Sequence, residues 1–151
     1  MVTASEQLDK RLNELRPLTE AVRPPRGWVR AIREALGMTT GQLAKRMKVQ
    51  QPRIVELEKA ESKGNITMQS LERAAEALGC RVVYAFVPFK PLTTTLEERA
   101  LQIAERQLSS VEQTMRLEAQ GVDDEEQRKR TRQRLADELL RRPARLWDDN
   151  R

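Results

Sequence analysis

Only Lys48, Val49 and Gln50 separate two stretches of helical apolar period. A connection that short does not let two helices lie side by side as a hairpin. It forces them to meet at a sharp angle. Before the turn, Thr39 is a good N-cap, and Leu43, Ala44 and Met47 share one helical face. After it, a helix is expected to begin near Gln50 or Gln51, with Pro52 in its first turn and Ile54 and Leu57 inward. A helix carrying Val29, Ile32 and Leu36 precedes the pair and stops at Gly37. A fourth starts at Thr67, carries Leu71, Ala74, Ala75 and Leu78, and stops at Gly79.

This is a helix-turn-helix pattern, in which the helix after the turn can enter the major groove of duplex DNA. Gln50 and Gln51 then stand where side chains meet base edges, and a glutamine amide can contact adenine N6 and N7 together. Arg53, just beyond them, would read guanine or grip phosphate. Thr40, Gln42 and Lys45, at or near the start of the preceding helix, would contact the DNA backbone. Charge agrees with this placement. The chain carries a net +5, and residues 23–63 hold ten Lys or Arg against four Glu. An excess confined to the reading segment fits phosphate neutralisation. Ahead of it, Arg23-Pro24-Pro25-Arg26-Gly27 excludes helix and reads either as a stiff linker or as an arm taking Arg23 and Arg26 to phosphates or a minor groove.

The segments TTGQLAKRM, QQPRIVELEKAE and MQSLERAAEALGC resemble the second, recognition and fourth helices of the phage-repressor-like family of regulators. Arg33 and Glu58 fall where that family places a buried Arg–carboxylate pair, whose bidentate contact would fix the angle between two helices.

Charged residues make up 34% of the chain and aromatics 3%, so a core must come from Leu, Ala, Val, Ile and Met. There is no histidine and one cysteine, Cys80. That removes the commonest general base, an internal disulfide and any ordinary protein zinc site. No phosphate-cradling glycine loop occurs either. A protein without cofactor or metal, and not an enzyme, is expected. Neither a signal peptide nor a long apolar run is evident, so the expected setting is the cytoplasm, with no membrane partner. The acidic run Asp123, Asp124, Glu125 and Glu126 reads as a helix start rather than a metal site.

Outside the motif, Leu8, Leu12 and Leu15 mark an amphipathic helix from about Ser5 to Leu15 that continues or restarts after Pro17. Val82-Val83-Tyr84-Ala85-Phe86-Val87 reads as the one strand. A lone strand leaves its backbone unpaired, so the economical partner is the same strand of a second copy across a two-fold axis. A homodimer of this kind would address a palindromic operator. A long helix follows from Leu96 with an apolar stripe ending at Val111 and Met115, then a last helix whose first half is a charge run, expected to be solvated. Residues after Pro143 are expected to be a loose tail. The expected fold is mainly α: a repressor-like helix-turn-helix domain with one dimerising β-strand and extra C-terminal helices. The divisions are residues 1–22, 23–79, 80–91 and 92–151.

A wider resemblance rests on Arg23 to Trp28, Ala75 to Cys80, Val83-Tyr84-Ala85 with Val87-Pro88, and Met115 to Glu118. Together with the helix-turn-helix these are similar to the family called mobile mystery protein A, usually encoded beside a Fic-domain protein. The resemblance implies an antitoxin-like DNA-binding partner of an AMP-transferring Fic enzyme, autoregulating its operon. It also implies an inhibitory role for Thr114 and Glu118, spaced as in the helix by which many Fic enzymes are silenced, although Ala119 replaces the usual Gly or Asn. The alternative is a stand-alone repressor.

Overall fold

The computed structural model describes residues 1–21, 23–117 and 124–148. It forms two compact units, one of residues 17–86 and one of residues 1–16 with 87–151. No helix among the described residues is long and apolar enough to cross a membrane.

The unit 17–86 holds helices α2 (Trp28–Ala35), α3 (Thr40–Met47), α4 (Gln51–Lys63) and α5 (Met68–Ala77), while α1 (Ala4–Asn13) lies in the other. The local signals set the ends. Thr39 and Thr67 accept hydrogen bonds from Gln42 N and Ser70 N, capping α3 and α5. Gly64 ends α4 in the left-handed conformation. Each helix sends its apolar face inward: Val29, Leu43, Ala44, Ile54, Leu57, Ala74 and Leu78 form one core. Leu43 and Ile54 are fully buried, each contributing about 1.5–3 kcal/mol by leaving water.

Helix α2 lacks a capping side chain of its own. Its first amides, Trp28 N and Val29 N, instead donate to the carboxylate of Glu61 in α4, at 2.9 and 2.8 Å. Glu61 is almost wholly buried. Gly27, at φ +89°, lets the chain pass that carboxylate; a Cβ there would stand 2.5 Å from its Oε1.

In the second unit, α6 (Leu92–Leu117) and α7 (Glu125–Leu140) pack together, and Ala100, Ile103, Ala104, Ala136 and Leu146 make the core. Helix α1 packs on α6. Asp9 caps α6 from a distance, accepting from Leu92 N, Thr93 N and Thr93 Oγ1 at 2.7–3.0 Å. Desolvation alone would raise the Asp9 carboxyl, but these bonds outweigh it and hold it below its ordinary value. Asp124 caps α7, accepting from Glu126 N and Gln127 N, with Glu125 and Glu126 in the first turn. Asp123 lies outside the described residues.

Three features differ from the sequence-based expectation. The charge run of α7 is not simply solvated: Arg128 pairs with Glu105 and Glu112 of α6 at 2.5 and 2.6 Å, and Arg132 reaches Glu105 at 3.3 Å. The Arg128 bonds hold the Glu105 carboxyl below its ordinary value. Residues 143–148 are not loose either. Pro143–Trp147 forms a 3-10 turn that buries Leu146 completely, and Arg99 Nε donates to the Leu146 carbonyl at 2.9 Å. Finally, Val82 to Val87 belong to no helix or strand. A ladder needs a second strand, and none occurs among the described residues.

Candidate nucleic-acid interface

The turn between α3 and α4 closes because Lys48 takes the left-handed conformation, φ 57° and ψ 43°. Val49 N then donates to the Ala44 carbonyl at 3.0 Å and the chain leaves α3 abruptly. Gln50 is extended and α4 starts at Gln51.

This brings the beginnings of α3 and α4 together. Gln51 Nε2 donates to Thr40 Oγ1 at 2.9 Å. One amide proton is thereby committed, and the other proton and Oε1 remain for a ligand. Adenine presents a matching acceptor and donor in the major groove. Gln50, Gln51 and Arg53 are exposed, and Gln50 makes no side-chain capping bond. Gln42 and Lys45 are exposed on α3. Gln42 has a second task, since its Oε1 accepts from Thr39 N at 2.8 Å, which leaves its Nε2 as a donor toward phosphate.

Arg33 and Glu58 do meet. Arg33 Nε donates to Glu58 Oε1 at 2.5 Å and Nη2 to Oε2 at 3.2 Å, while Nη1 donates to the Met38 carbonyl at 2.8 Å. Both side chains are buried. The pair fixes α2 and the loop before α3 onto the recognition helix. Hydrogen bonding to Glu58 raises the Arg33 pKa against the effect of burial.

Arg23 and Arg26 are exposed, and Arg23 does not join the Gln51 group. Arg23 Nη1 donates to the carbonyl of Glu61 at 3.3 Å. Glu61 lies ten residues along α4 from Gln51, about 15 Å at the helical rise. Burial also sharpens the charge distribution. Glu58 and Glu61 are turned inward, and Arg33 with them. The surface of segment 23–63 is left with nine Lys or Arg against Glu34 and Glu56.

Residues 29–84 match the helix-turn-helix family model HTH_3. The unit 17–86 is thus a helix-turn-helix domain of the XRE-type, repressor-like kind, the kind found in DNA-binding transcriptional regulators. The match covers α2 to α5 and stops before α6. No curated protein and no solved structure matches the chain.

Two elements of the helix-turn-helix domain escape sequence reasoning. The Thr40–Gln51 bond joins residues eleven apart and needs the turn geometry to be known. The Glu61 cap had one available signal: Pro-Arg-Gly before Trp28 supplies no capping side chain, so a helix starting there must find an acceptor elsewhere. Of the remaining candidates, Thr114 is exposed on α6 and donates to the Ser110 carbonyl at 3.1 Å. Glu118 lies outside the described residues.

Proposed function

We propose that this protein is a sequence-specific transcriptional regulator, not an enzyme, that binds a palindromic operator as a homodimer joined through Val82 to Val87. The observation that carries the DNA-reading part is the Gln51 amide, held by Thr40 at the exposed start of α4 with a donor and an acceptor still available. Gln50 and Arg53 complete the base-facing group. Thr40, Gln42 and Lys45 position the domain on phosphates, and the basic surface of 23–63 supplies the non-specific term. The expected setting is the cytoplasm.

The test is Gln51→Ala, measured by fluorescence anisotropy against the preferred operator and an unrelated duplex of equal length. A loss of about 1–3 kcal/mol at the operator, with little change on the unrelated duplex, is expected. Equal loss on both would reduce Gln51 to a positioning contact.

The finer reading is an antitoxin that autoregulates its operon and restrains a Fic-domain partner. It is supported by the sequence resemblance, which includes the four-residue spacing of Thr114 and Glu118 along the chain. A glutamate delivered to the Fic active site would pair with the arginine that otherwise holds the ATP γ-phosphate. Co-expression of the Fic protein with Glu118→Ala should release AMP transfer and slow growth while operator binding persists. Full silencing by the variant would leave steric occlusion, or the alternative of a stand-alone repressor.

A further inference from the structure

The helix-turn-helix domain leaves an apolar groove open on the side of α2 and α5. Trp28, Ile32, Ile66, Leu71, Ala75 and Val82 line it, and it encloses roughly 620 Å³. Immediately after Val82 and Val83, which form part of its wall, come two fully presented aromatics. Tyr84 is 70% and Phe86 is 87% exposed. The chain has one Tyr and two Phe, and all three fall within residues 84–89. A chain so poor in aromatics has therefore left Tyr84 and Phe86 in water, in the segment that directly follows the groove wall.

We propose that the groove of one copy receives Tyr84 and Phe86 of a second copy, reciprocally. This rests on the homodimer proposed above and says what holds it. Three points favour a second copy over a foreign partner. Aromatic segment and groove lie in the same unit, so one two-fold axis fills both grooves and leaves no ring over. Tyr84 directly follows the wall residue Val83, so insertion into its own groove requires the chain to reverse immediately. The area is also sufficient. A buried Tyr or Phe removes roughly 150–250 Å² from water. Four such rings, with the groove walls they cover, reach the roughly 1,200–2,000 Å² typical of stable interfaces. Paired as a strand with the partner's 82–87 segment, residues 84 and 86 would share one face, so both rings would enter while the intervening backbone stays available to the partner. Ring insertion and strand pairing are then two parts of one interface, the rings supplying anchors and the ladder supplying register.

The experiment compares the full-length wild type, Tyr84→Ser/Phe86→Ser and Ala75→Arg by sedimentation equilibrium over a dilution series. Circular dichroism monitors the fold. The two serine substitutions are on exposed positions and leave the core intact, so they separate association from folding. Both variants should raise the dimer dissociation constant about tenfold or more. A second measurement fixes the geometry. In a Cys80→Ser background, a copy bearing Ala75→Cys is mixed with a copy bearing Phe86→Cys under mild oxidation, and a disulfide between the two copies is expected. A monomeric wild type would overturn the proposal. So would a dimer indifferent to the serine variant, or a disulfide that forms only within one chain when both cysteines are placed on it. Binding to a duplex with one half-site, followed in parallel, reports on DNA reading alone.

Discussion

Glu58→Ala is expected to cost the helix-turn-helix domain about 3–5 kcal/mol, because it leaves the Arg33 guanidinium buried without its counter-charge. Arg33 and Glu58 are 8% and 7% exposed, so water can do little to replace the lost carboxylate. A loss of that size is a large part of the 5–15 kcal/mol that a typical domain has in total. Urea unfolding followed by circular dichroism should show the midpoint falling steeply. DNA affinity should fall with the folded fraction. Arg33→Leu/Glu58→Leu is the informative control. Removing both charges together replaces the pair by apolar packing, and most of the loss should be recovered. The Arg33 bond to the Met38 carbonyl is not recovered, which sets a remaining deficit of about 1 kcal/mol. If the double variant is as unstable as Glu58→Ala, packing around the pair, not its charge, is what matters.

Gly27→Ala should cost about 2–4 kcal/mol, although it adds one methyl group. Two effects combine. The backbone there, φ 89° and ψ 165°, lies in a region that only glycine occupies readily, with a strain of about 1–3 kcal/mol for other residues. The new Cβ would also meet Glu61 Oε1 at 2.5 Å and push the carboxylate off the amides of Trp28 and Val29. Loss of a helix cap is worth about 1 kcal/mol. The same substitution in a Glu61→Ala background should cost only the strain, since no carboxylate remains to displace. Equal costs in the two backgrounds would show that Glu61 shifts aside freely.

Much of the domain is readable along the chain because its instructions are local. Thr39 with Gln42 and Thr67 with Ser70 write helix starts within four residues, and both starts stand where the pattern puts them. The Arg33–Glu58 contact spans 25 positions, yet its placement follows from the resemblance to repressor-like regulators. What could not be read is carried by distant partners with no local trace. Asp9 caps a helix 83 residues away, and Glu61 one 33 residues back. Each appears in the sequence as one more acidic residue on an amphipathic helix. Leu146 follows a helix-ending proline and has no periodic companions, so nothing marks it as a core residue. Thr40 and Gln51 are readable as candidates for DNA contact but not as bonded to one another, because the link depends on the left-handed Lys48.

The Glu61 contact has a consequence for cooperativity. Helix ends ordinarily fray one turn at a time, almost independently of the rest of a domain. The beginning of α2 lacks that freedom, since its first two amides are held by a side chain near the end of α4. Unwinding the last turn of α4 therefore exposes the first turn of α2, and loosening α2 strips a buried carboxylate of its donors. At the other end of α4 stands Gln51. The helix that would face DNA and the start of α2 are thus coupled in opening, so damage at Gly27 would be felt as lost occupancy of an operator that Gly27 never touches.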